Sequence, residues 1–194
     1  FNSSQRKIIL SKSDPVRYGS FLLAIKQIKE EKINGCIAEC GVWRGALSKF
    51  IHSHLSEKTY YLFDTFQGFD NRDLDSEKDV RFNNTNAKRV LNYIGGNKEK
   101  LIIRQGFFPE TTVNMKKELY SLVILDFDKY NPTVAGLEYF YPLMERGGFI
   151  FIHDYSSSES NYACSRALDE FLITKPEKPI LIPDAWGSAI IRKV

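Results

Sequence analysis

The sequence predicts a doubly wound α/β fold, in which the strands of a mainly parallel sheet alternate with helices. Short apolar runs of strand length recur along the chain, separated by segments whose apolar residues have helical spacing. The first run leads through a turn with two glycines into such a helix, which is typical of the first strand–helix unit of these folds. The last two runs, 179–183 and 188–192, are separated by a short connection and predict a terminal antiparallel hairpin.

The composition predicts one globular domain over residues 1–194. Hydrophobic residues make up 43% of the chain and charged residues 26%, which is typical of folded proteins. The net charge is only +3 and the lysines are scattered, so we expect no nucleic-acid partner. No apolar run approaches the ~20 residues of a membrane-spanning helix, so we expect no membrane partner. Three cysteines without a disulfide framework predict reduced, packed thiols and a cytoplasmic location.

The N-terminal segment, 1–32, is predicted to contain a polar stretch and one helix. Residues 1–14 are polar and predict irregular structure. Pro15 is a favourable residue at a helix start, and the apolar residues after it have helical spacing, which predicts a helix over 16–31. This helix would cover either the sheet or the mouth of a ligand site. The apolar run 33–38 then predicts the first strand.

The turn after the first strand contains Glu39, Gly41, Trp43 and Gly45, and it leads into a predicted helix over 46–55. Its G-x-x-x-G spacing differs from the G-x-G-x-x-G pattern that brings bare backbone against a dinucleotide pyrophosphate. Glu39 would repel a pyrophosphate but suits a cation. S-adenosylmethionine has a cationic sulfonium and no phosphate, and its carboxylate suits the amides of the helix start. The turn therefore favours S-adenosylmethionine, with a nucleotide phosphate as the alternative.

The second predicted strand, 59–63, ends at Asp64, which lies about 20 residues beyond the glycine turn. An acid at this position can accept hydrogen bonds from both ribose hydroxyls of an adenosine. The alternative interpretation is an aspartate that caps a helix. The polar loop 65–84 is long for a compact domain, which favours a lid over the substrate, with a surface excursion as the alternative.

The third predicted strand, 101–105, follows a helix near 85–94 and would place Gln105 and Gly106 beside an adenine ring. The most continuously apolar run, 120–125, predicts the strand at the centre of the sheet.

The fifth predicted strand, 149–152, follows a helix that starts at 131–133 and is expected to end at Gly147–Gly148. A further helix is expected near 160–173, before the terminal hairpin.

Four polar side chains follow the fourth and fifth strands: Asp126, Asp128, His153 and Asp154. Neighbouring parallel strands lie ~4.8 Å apart, so these side chains can converge on one site. Clustered carboxylates are costly unless a proton or a cation joins them. Oxygen ligands suit Mg²⁺, and a histidine among them also admits Mn²⁺. The alternative is that some of the acids cap helices and that His153 only packs.

Four motifs occur in register along the chain: 39–45, 63–69, 126–133 and 147–155. Together they resemble the macrocin O-methyltransferase (TylF/MycF-type) family, which methylates sugar hydroxyls in antibiotic biosynthesis. The resemblance spans roughly residues 15–192. It implies a class I, Rossmann-like methyltransferase sheet of seven strands, with the last strand antiparallel, and S-adenosylmethionine as the cofactor.

The resemblance also implies roles for matching positions. Asp128 would be the general base, and Asp126 with His153 and Asp154 would bind Mg²⁺. The family usually has Asp-Asp at the last two positions, so the histidine leaves the identity and the presence of the metal open. The predicted cofactor-binding residues are Glu39, Gly41, Trp43, Gly45, Asp64, Thr65, Gln105, Gly106 and Asp126.

The predicted activity is metal-assisted methyl transfer from S-adenosylmethionine to a hydroxyl of a sugar or a glycosylated metabolite. An NAD(P)-dependent oxidoreductase is one alternative. A cofactor-binding homologue that has lost catalysis is another. The small-molecule acceptor is left open among a glycosylated metabolite, a polysaccharide sugar and a catechol-like diol, and a homodimer is left open as well.

Overall fold

The computed structural model describes residues 2–74 and 79–194. Within these residues, seven strands form one sheet, and six α-helices accompany it. The strands are β1 (Cys36–Cys40), β2 (Tyr60–Asp64), β3 (Leu101–Gln105), β4 (Tyr120–Leu125), β5 (Met144–Ile152), β6 (Ile180–Ile182) and β7 (Ser188–Arg192). The helices are α1 (Ser3–Leu10), α2 (Pro15–Glu30), α3 (Ala46–His54), α4 (Ala87–Ile94), α5 (Tyr130–Phe140) and α6 (Ala163–Leu172).

The sheet has the strand order β3-β2-β1-β4-β5-β7-β6. The first five strands pair in parallel, whereas β7 is antiparallel to both β5 and β6. The terminal hairpin and the central place of β4 are therefore confirmed. An ordinary dinucleotide-binding domain has the strand order 3-2-1-4-5-6 and lacks an antiparallel strand between the fifth and sixth strands. The observed topology therefore differs from that of a dinucleotide-binding oxidoreductase.

Two apolar layers cover the sheet. Residues of α2, α3 and α4 pack on one face, where the rings of Phe21 and Phe151 stack with centroids 4.1 Å apart. Residues of α5 and α6 pack on the other face. Cys40 and Cys164 are buried in this second layer, as expected for packed thiols, and all three cysteines among the described residues are free.

The N-terminal segment is more ordered than the sequence analysis predicted. Residues 3–10 form α1, so the expectation of irregular structure over 1–14 is wrong. The Asn2 side chain accepts a hydrogen bond from the Gln5 backbone, and the Gln5 side chain accepts one from the Asn2 backbone. This reciprocal cap satisfies two N–H groups at the helix start and is visible in the sequence as a polar pair three residues apart.

The first strand is shifted relative to the predicted range 33–38. It begins at Cys36 because Gly35 has a φ of +97°, and a Cβ there would lie 2.6 Å from the carbonyl oxygen of Leu119. Ile33 instead donates a backbone hydrogen bond to Ile28 at the end of α2. The strand continues to Cys40, so Glu39 is a strand residue rather than part of the turn.

The end of α5 also differs from the prediction. The helix stops at Phe140, and Pro142 follows in a short 3₁₀ turn, because proline has no N–H to continue the helical ladder. Gly147 and Gly148 lie inside β5, where the pairing with β4 is irregular, rather than at the helix end. Gly147 has a φ of +80°, a conformation that favours glycine.

In the described part of the chain, no helix combines the length and the apolar character needed to cross a membrane.

Candidate active site

A cavity of about 380 Å³ opens at the carboxyl ends of the central strands. Ligands bind at this edge in open α/β sheets, where the strand order reverses. The cavity is lined by Arg17, Gly41, Trp43, Phe63, Asp64, Thr65, Gly68, Phe69, Asp70, Asp73, Arg81, Phe82, Gly106, Phe107, Phe108, Asp126, Phe127, Asp128, Pro132, His153, Asp154, Ser157, Glu159, Ser160 and Trp186.

Most of the predicted site residues line this cavity, and three of them do not. Nine of them line it: Gly41, Trp43, Asp64, Thr65, Gly106, Asp126, Asp128, His153 and Asp154. Glu39, Gly45 and Gln105 are not among the lining residues. Gln105 is exposed, and its side-chain amide donates to the backbone oxygen of Thr65. Gly45 caps the start of α3, where a Cβ would meet Val90 at 2.9 Å.

Gly41 brings the glycine turn against the end of β4. It has a φ of +84°, and a Cβ at this position would lie 1.9 Å from the carbonyl oxygen of Asp126. Any larger residue would therefore push the two strand ends apart. The close approach joins the predicted cofactor turn directly to the first residue of the acidic cluster.

Asp64 holds the same turn by hydrogen bonds. Its Oδ2 accepts from the backbone N–H groups of Val42 and Trp43, each at 2.7 Å, and its Oδ1 accepts from Phe66 N–H at 2.6 Å. A carboxylate offers about four acceptor positions, so these three bonds leave room for one more. The sequence predicts a ribose contact for Asp64, but no sequence pattern indicates its hydrogen bonds with the turn.

Glu39 is buried, with 2% of its surface exposed, and its side chain lies on the α3 side of the sheet. Ser48 donates a hydrogen bond of 2.7 Å to its Oε2, and the Tyr60 hydroxyl donates to the same oxygen. Burial raises the pKa of Glu39 to about 7, although these two hydrogen bonds act in the opposite direction. The structure thus places Glu39 beneath the turn rather than at the cavity wall.

Asp126, Asp128, His153 and Asp154 converge as predicted. Each offers one ligand atom, and these four atoms lie within 4.8 Å of one another. His153 Nδ1 lies 3.0 Å from Asp126 Oδ1 and 2.8 Å from Asp154 Oδ2. Its Nε2 is buried, and none of the described residues provides a hydrogen-bond partner for it.

The charges within this cluster compensate one another. Burial opposes ionisation of Asp126, but the charges of His153 and Arg17 outweigh it and lower its pKa. Burial also opposes the protonation of His153, and the charge of Asp126 outweighs it, so the pKa of His153 is raised to about 10. Burial, a hydrogen bond with Asp154 and the charge of Asp126 raise the pKa of Asp128.

Arg17 is a site residue that the sequence analysis missed. It lies in the first turn of α2, and its Nη2 is 2.7 Å from Asp126 Oδ2. The sequence predicts that this helix covers either the sheet or the mouth of a ligand site. In the structure α2 does both, because Phe21 packs in the core and Arg17 lines the cavity. No local pattern distinguishes Arg17 from the other basic residues of the chain.

The described parts of the predicted lid, 65–74 and 79–84, contribute to the cavity wall. Residues 75–78 of this loop lie outside the described residues. Arg81 Nη2 is 2.7 Å from Asp79 and 3.9 Å from Asp128 Oδ2, and its guanidinium lies over the rings of Phe69 and Phe82. A lid function remains a prediction.

Solved structures with a similar fold include O-methyltransferases. The O-methyltransferase NovP has a TM-score of 0.76 at 18% identity, over 93% of this chain and 80% of that one. The calicheamicin methyltransferase CalS11 has a TM-score of 0.71 at 17% identity, over 91% and 78%. At these identities the likeness shows the fold alone. The fold is therefore that of the class I methyltransferases.

The chain belongs to the macrocin-O-methyltransferase (TylF) family, whose family model matches residues 16–188. The 8-demethyl-8-(2,3-dimethoxy-alpha-L-rhamnosyl)-tetracenomycin-C 4'-O-methyltransferase of Streptomyces olivaceus is 25% identical over 172 residues, 80% of this chain and 64% of that protein. The demethyldecarbamoylnovobiocin O-methyltransferase of Streptomyces niveus is 23% identical over 171 residues, 76% and 62%. The chain thus spans less than two thirds of either relative's length.

Proposed function

We propose that this protein transfers a methyl group from S-adenosylmethionine to a hydroxyl of a sugar or a glycosylated small molecule, with the assistance of Mg²⁺ or Mn²⁺. One observation carries the proposal. A single cavity joins the glycine turn and Asp64 to the cluster of Asp126, Asp128, His153 and Asp154. The two reactants and the group that receives the proton need such adjoining sites.

The cofactor side of the cavity fits an adenosine with a cationic tail. Asp64 retains one acceptor position toward a ribose hydroxyl. Gly106 and the rings of Phe107 and Phe108 line the cavity as well and offer an apolar face to adenine. Gly41 and Trp43 of the glycine turn line the same cavity and would face the methionyl part of the cofactor. These features favour S-adenosylmethionine over a dinucleotide, whose pyrophosphate would lie beside ionised carboxylates.

The cluster fits a divalent cation by its donor chemistry. Three carboxylates and an imidazole are ligands that Mg²⁺ or Mn²⁺ accepts, and their atoms already lie within 4.8 Å of one another. The buried Nε2 of His153 lacks a partner among the described residues. Because the pKa of His153 is raised to about 10, the ring would have to release a proton before it could bind a cation. Asp126, His153 and Asp154 would hold the cation, which supplies Lewis acidity to the acceptor hydroxyl.

Asp128 is the residue proposed to take the proton. The acceptor oxygen forms a bond to the methyl carbon as the carbon–sulfur bond breaks, and the hydroxyl proton passes to the Asp128 carboxylate. The raised pKa of Asp128 means that it holds its proton more tightly without a cation nearby. Additional positive charge in the cluster would lower this pKa and prepare the carboxylate as a base.

The relatives and the aromatic wall support a sugar as the acceptor. One Streptomyces relative is named as a 4'-O-methyltransferase of a rhamnosyl-tetracenomycin C, and the other as an O-methyltransferase of demethyldecarbamoylnovobiocin. Trp186, Phe69 and Phe82 line the same cavity and offer flat apolar faces. Such faces suit the C–H faces of a sugar ring, while its hydroxyls face the carboxylates.

The proposal is tested with purified protein, S-adenosylmethionine, Mg²⁺ and a panel of nucleotide sugars, glycosides and catechols. We expect mass spectrometry to detect a methylated sugar, and we expect EDTA to suppress its formation. Calorimetry should show binding of S-adenosylhomocysteine and none of NAD. Tight cofactor binding without a methylated product from any acceptor would favour the non-catalytic alternative, and binding of NAD alone would favour the oxidoreductase.

A further inference from the structure

The ion pair between Arg17 and Asp126 has a consequence for cation binding. The guanidinium Nη2 lies 2.7 Å from Asp126 Oδ2, and both side chains are largely shielded, with 18% and 22% exposed. Burial lowers the pKa of Arg17, but the charge and the hydrogen bond of Asp126 outweigh this effect and raise it. Ion pairs shielded from water are screened less than surface pairs, so this contact is a substantial electrostatic feature of the cluster.

Hydrogen bonds of Asp14 at the start of α2 hold Arg17 in position beside the cluster. Asp14 Oδ1 accepts the backbone N–H of Arg17 at 2.9 Å, and its Oδ2 accepts the backbone N–H of Ala185 at 2.9 Å. One aspartate therefore caps the helix and fixes it to the segment before β7. Because Asp14 is held on both sides, the first turn of α2 and Arg17 have a defined place at the cavity.

Both oxygens of Asp126 are engaged in the structure. Oδ1 contacts His153 Nδ1 at 3.0 Å, and Oδ2 contacts Arg17. A divalent cation held by Asp126 would need one of these two engaged oxygens as its ligand. The guanidinium would then stand within a few ångströms of the cation, and like charges at that separation repel strongly in a shielded site.

We propose that Arg17 is a built-in counter-ion of Asp126 that competes with a divalent cation and weakens its binding to the cluster. This inference rests on the cation site of the proposed function, but it concerns affinity and does not depend on methyl transfer. A cation on Asp126 would have to displace the guanidinium from Oδ2 or share the carboxylate with it. Arg17 is thus a positioning residue that sets how readily the cluster takes up a cation.

The test measures Mn²⁺ binding to the purified chain by electron paramagnetic resonance of free Mn²⁺ and by calorimetry. We expect Arg17→Gln to bind Mn²⁺ at least about tenfold more tightly than the wild type, because a repelling charge is removed. Arg17→Lys should remain close to the wild type. Lys26→Gln is the matched control, since it removes one positive charge from an exposed position of the same helix and should leave the affinity unchanged.

Two further variants control for misfolding and for Mn²⁺ binding elsewhere on the protein. Arg17→Met retains the length of the aliphatic stem and gives a second measurement if Arg17→Gln folds poorly by circular dichroism. Asp126→Asn should lose Mn²⁺ binding, which shows that the titration reports this cluster. Equal Mn²⁺ affinity in the wild type, Arg17→Gln and Arg17→Met would overturn the proposal. No Mn²⁺ binding in any of the three, or unchanged binding in Asp126→Asn, would overturn it as well. A failure of methyl transfer alone would leave these affinities measurable.

Discussion

The backbone N–H of Trp43 donates a hydrogen bond of 2.7 Å to Oδ2 of Asp64, which ties the glycine turn to the end of β2. The same oxygen accepts from the neighbouring N–H of Val42 at 2.7 Å. One carboxylate therefore shapes the turn and faces the cavity in which we place the cofactor. Turn geometry and cofactor binding should be lost together when this side chain is removed.

Asp64→Ala is expected to weaken the binding of S-adenosylhomocysteine by at least about tenfold, since a charged acceptor is lost. It should also lower the free energy of unfolding by about 1–3 kcal/mol, because N–H groups of the turn lose their partner. Calorimetry and urea denaturation measure the two effects. Asp169→Ala is the control, since Asp169 accepts from Tyr155 at an exposed position outside the cavity. Unchanged affinity in Asp64→Ala would contradict the assigned place of the cofactor.

Asp128→Asn is expected to lower kcat by about 10²–10⁴-fold while it leaves the affinity for S-adenosylhomocysteine near that of the wild type. The amide cannot take the hydroxyl proton, but it occupies nearly the same volume. Steady-state kinetics with a methylated acceptor and calorimetry separate these two quantities. A variant that retains normal turnover would remove Asp128 from the role of base.

The pH dependence of the rate should move with the cation concentration. The pKa of Asp128 is raised, so at low cation concentration the carboxylate is protonated at neutral pH and the rate rises as the pH increases. Saturating Mg²⁺ adds positive charge beside Asp128 and should shift this rise to lower pH. Profiles of kcat/KM at two Mg²⁺ concentrations measure the shift. Identical pH profiles at the two Mg²⁺ concentrations would show that the cation does not change the pKa of the titrating group.

Glu39 should make the free energy of unfolding depend on pH. Its pKa is about 7 in the folded protein against an ordinary value of 4.5, so the folded state binds the proton more tightly. This contribution is fully present below about pH 4.5 and is lost as the pH rises through about 7, with a loss of up to about 3 kcal/mol. Urea denaturation of Glu39→Gln, which cannot ionise, should show a smaller decrease over this range. An identical pH dependence in both proteins would refute the assignment.

The local pattern of the sequence was sufficient to predict most of the elements and the tips of the strands. The third, fourth and seventh strands have the predicted bounds, because runs of apolar residues with polar ends specify a strand by themselves. Asp64, Asp126, Asp128, His153 and Asp154 all reach the cavity for the same reason. Once strands are parallel, the residues that follow them must meet at one edge of the sheet.

The positions of Glu39 and Arg17 relative to the cavity depend on contacts between distant parts of the chain. Glu39 shares the face of β1 with Ile37, since side chains alternate along a strand, and the Tyr60 hydroxyl and Ser48 hold it away from the cavity. Arg17 reaches Asp126 across 109 positions of sequence, and only the docking of α2 brings them together. The sequence alone determined where most of the strands end. The tertiary structure decided which side chains enter the cavity and which charges face the acids, because packing and electrostatic contacts depend on distance in space rather than along the chain.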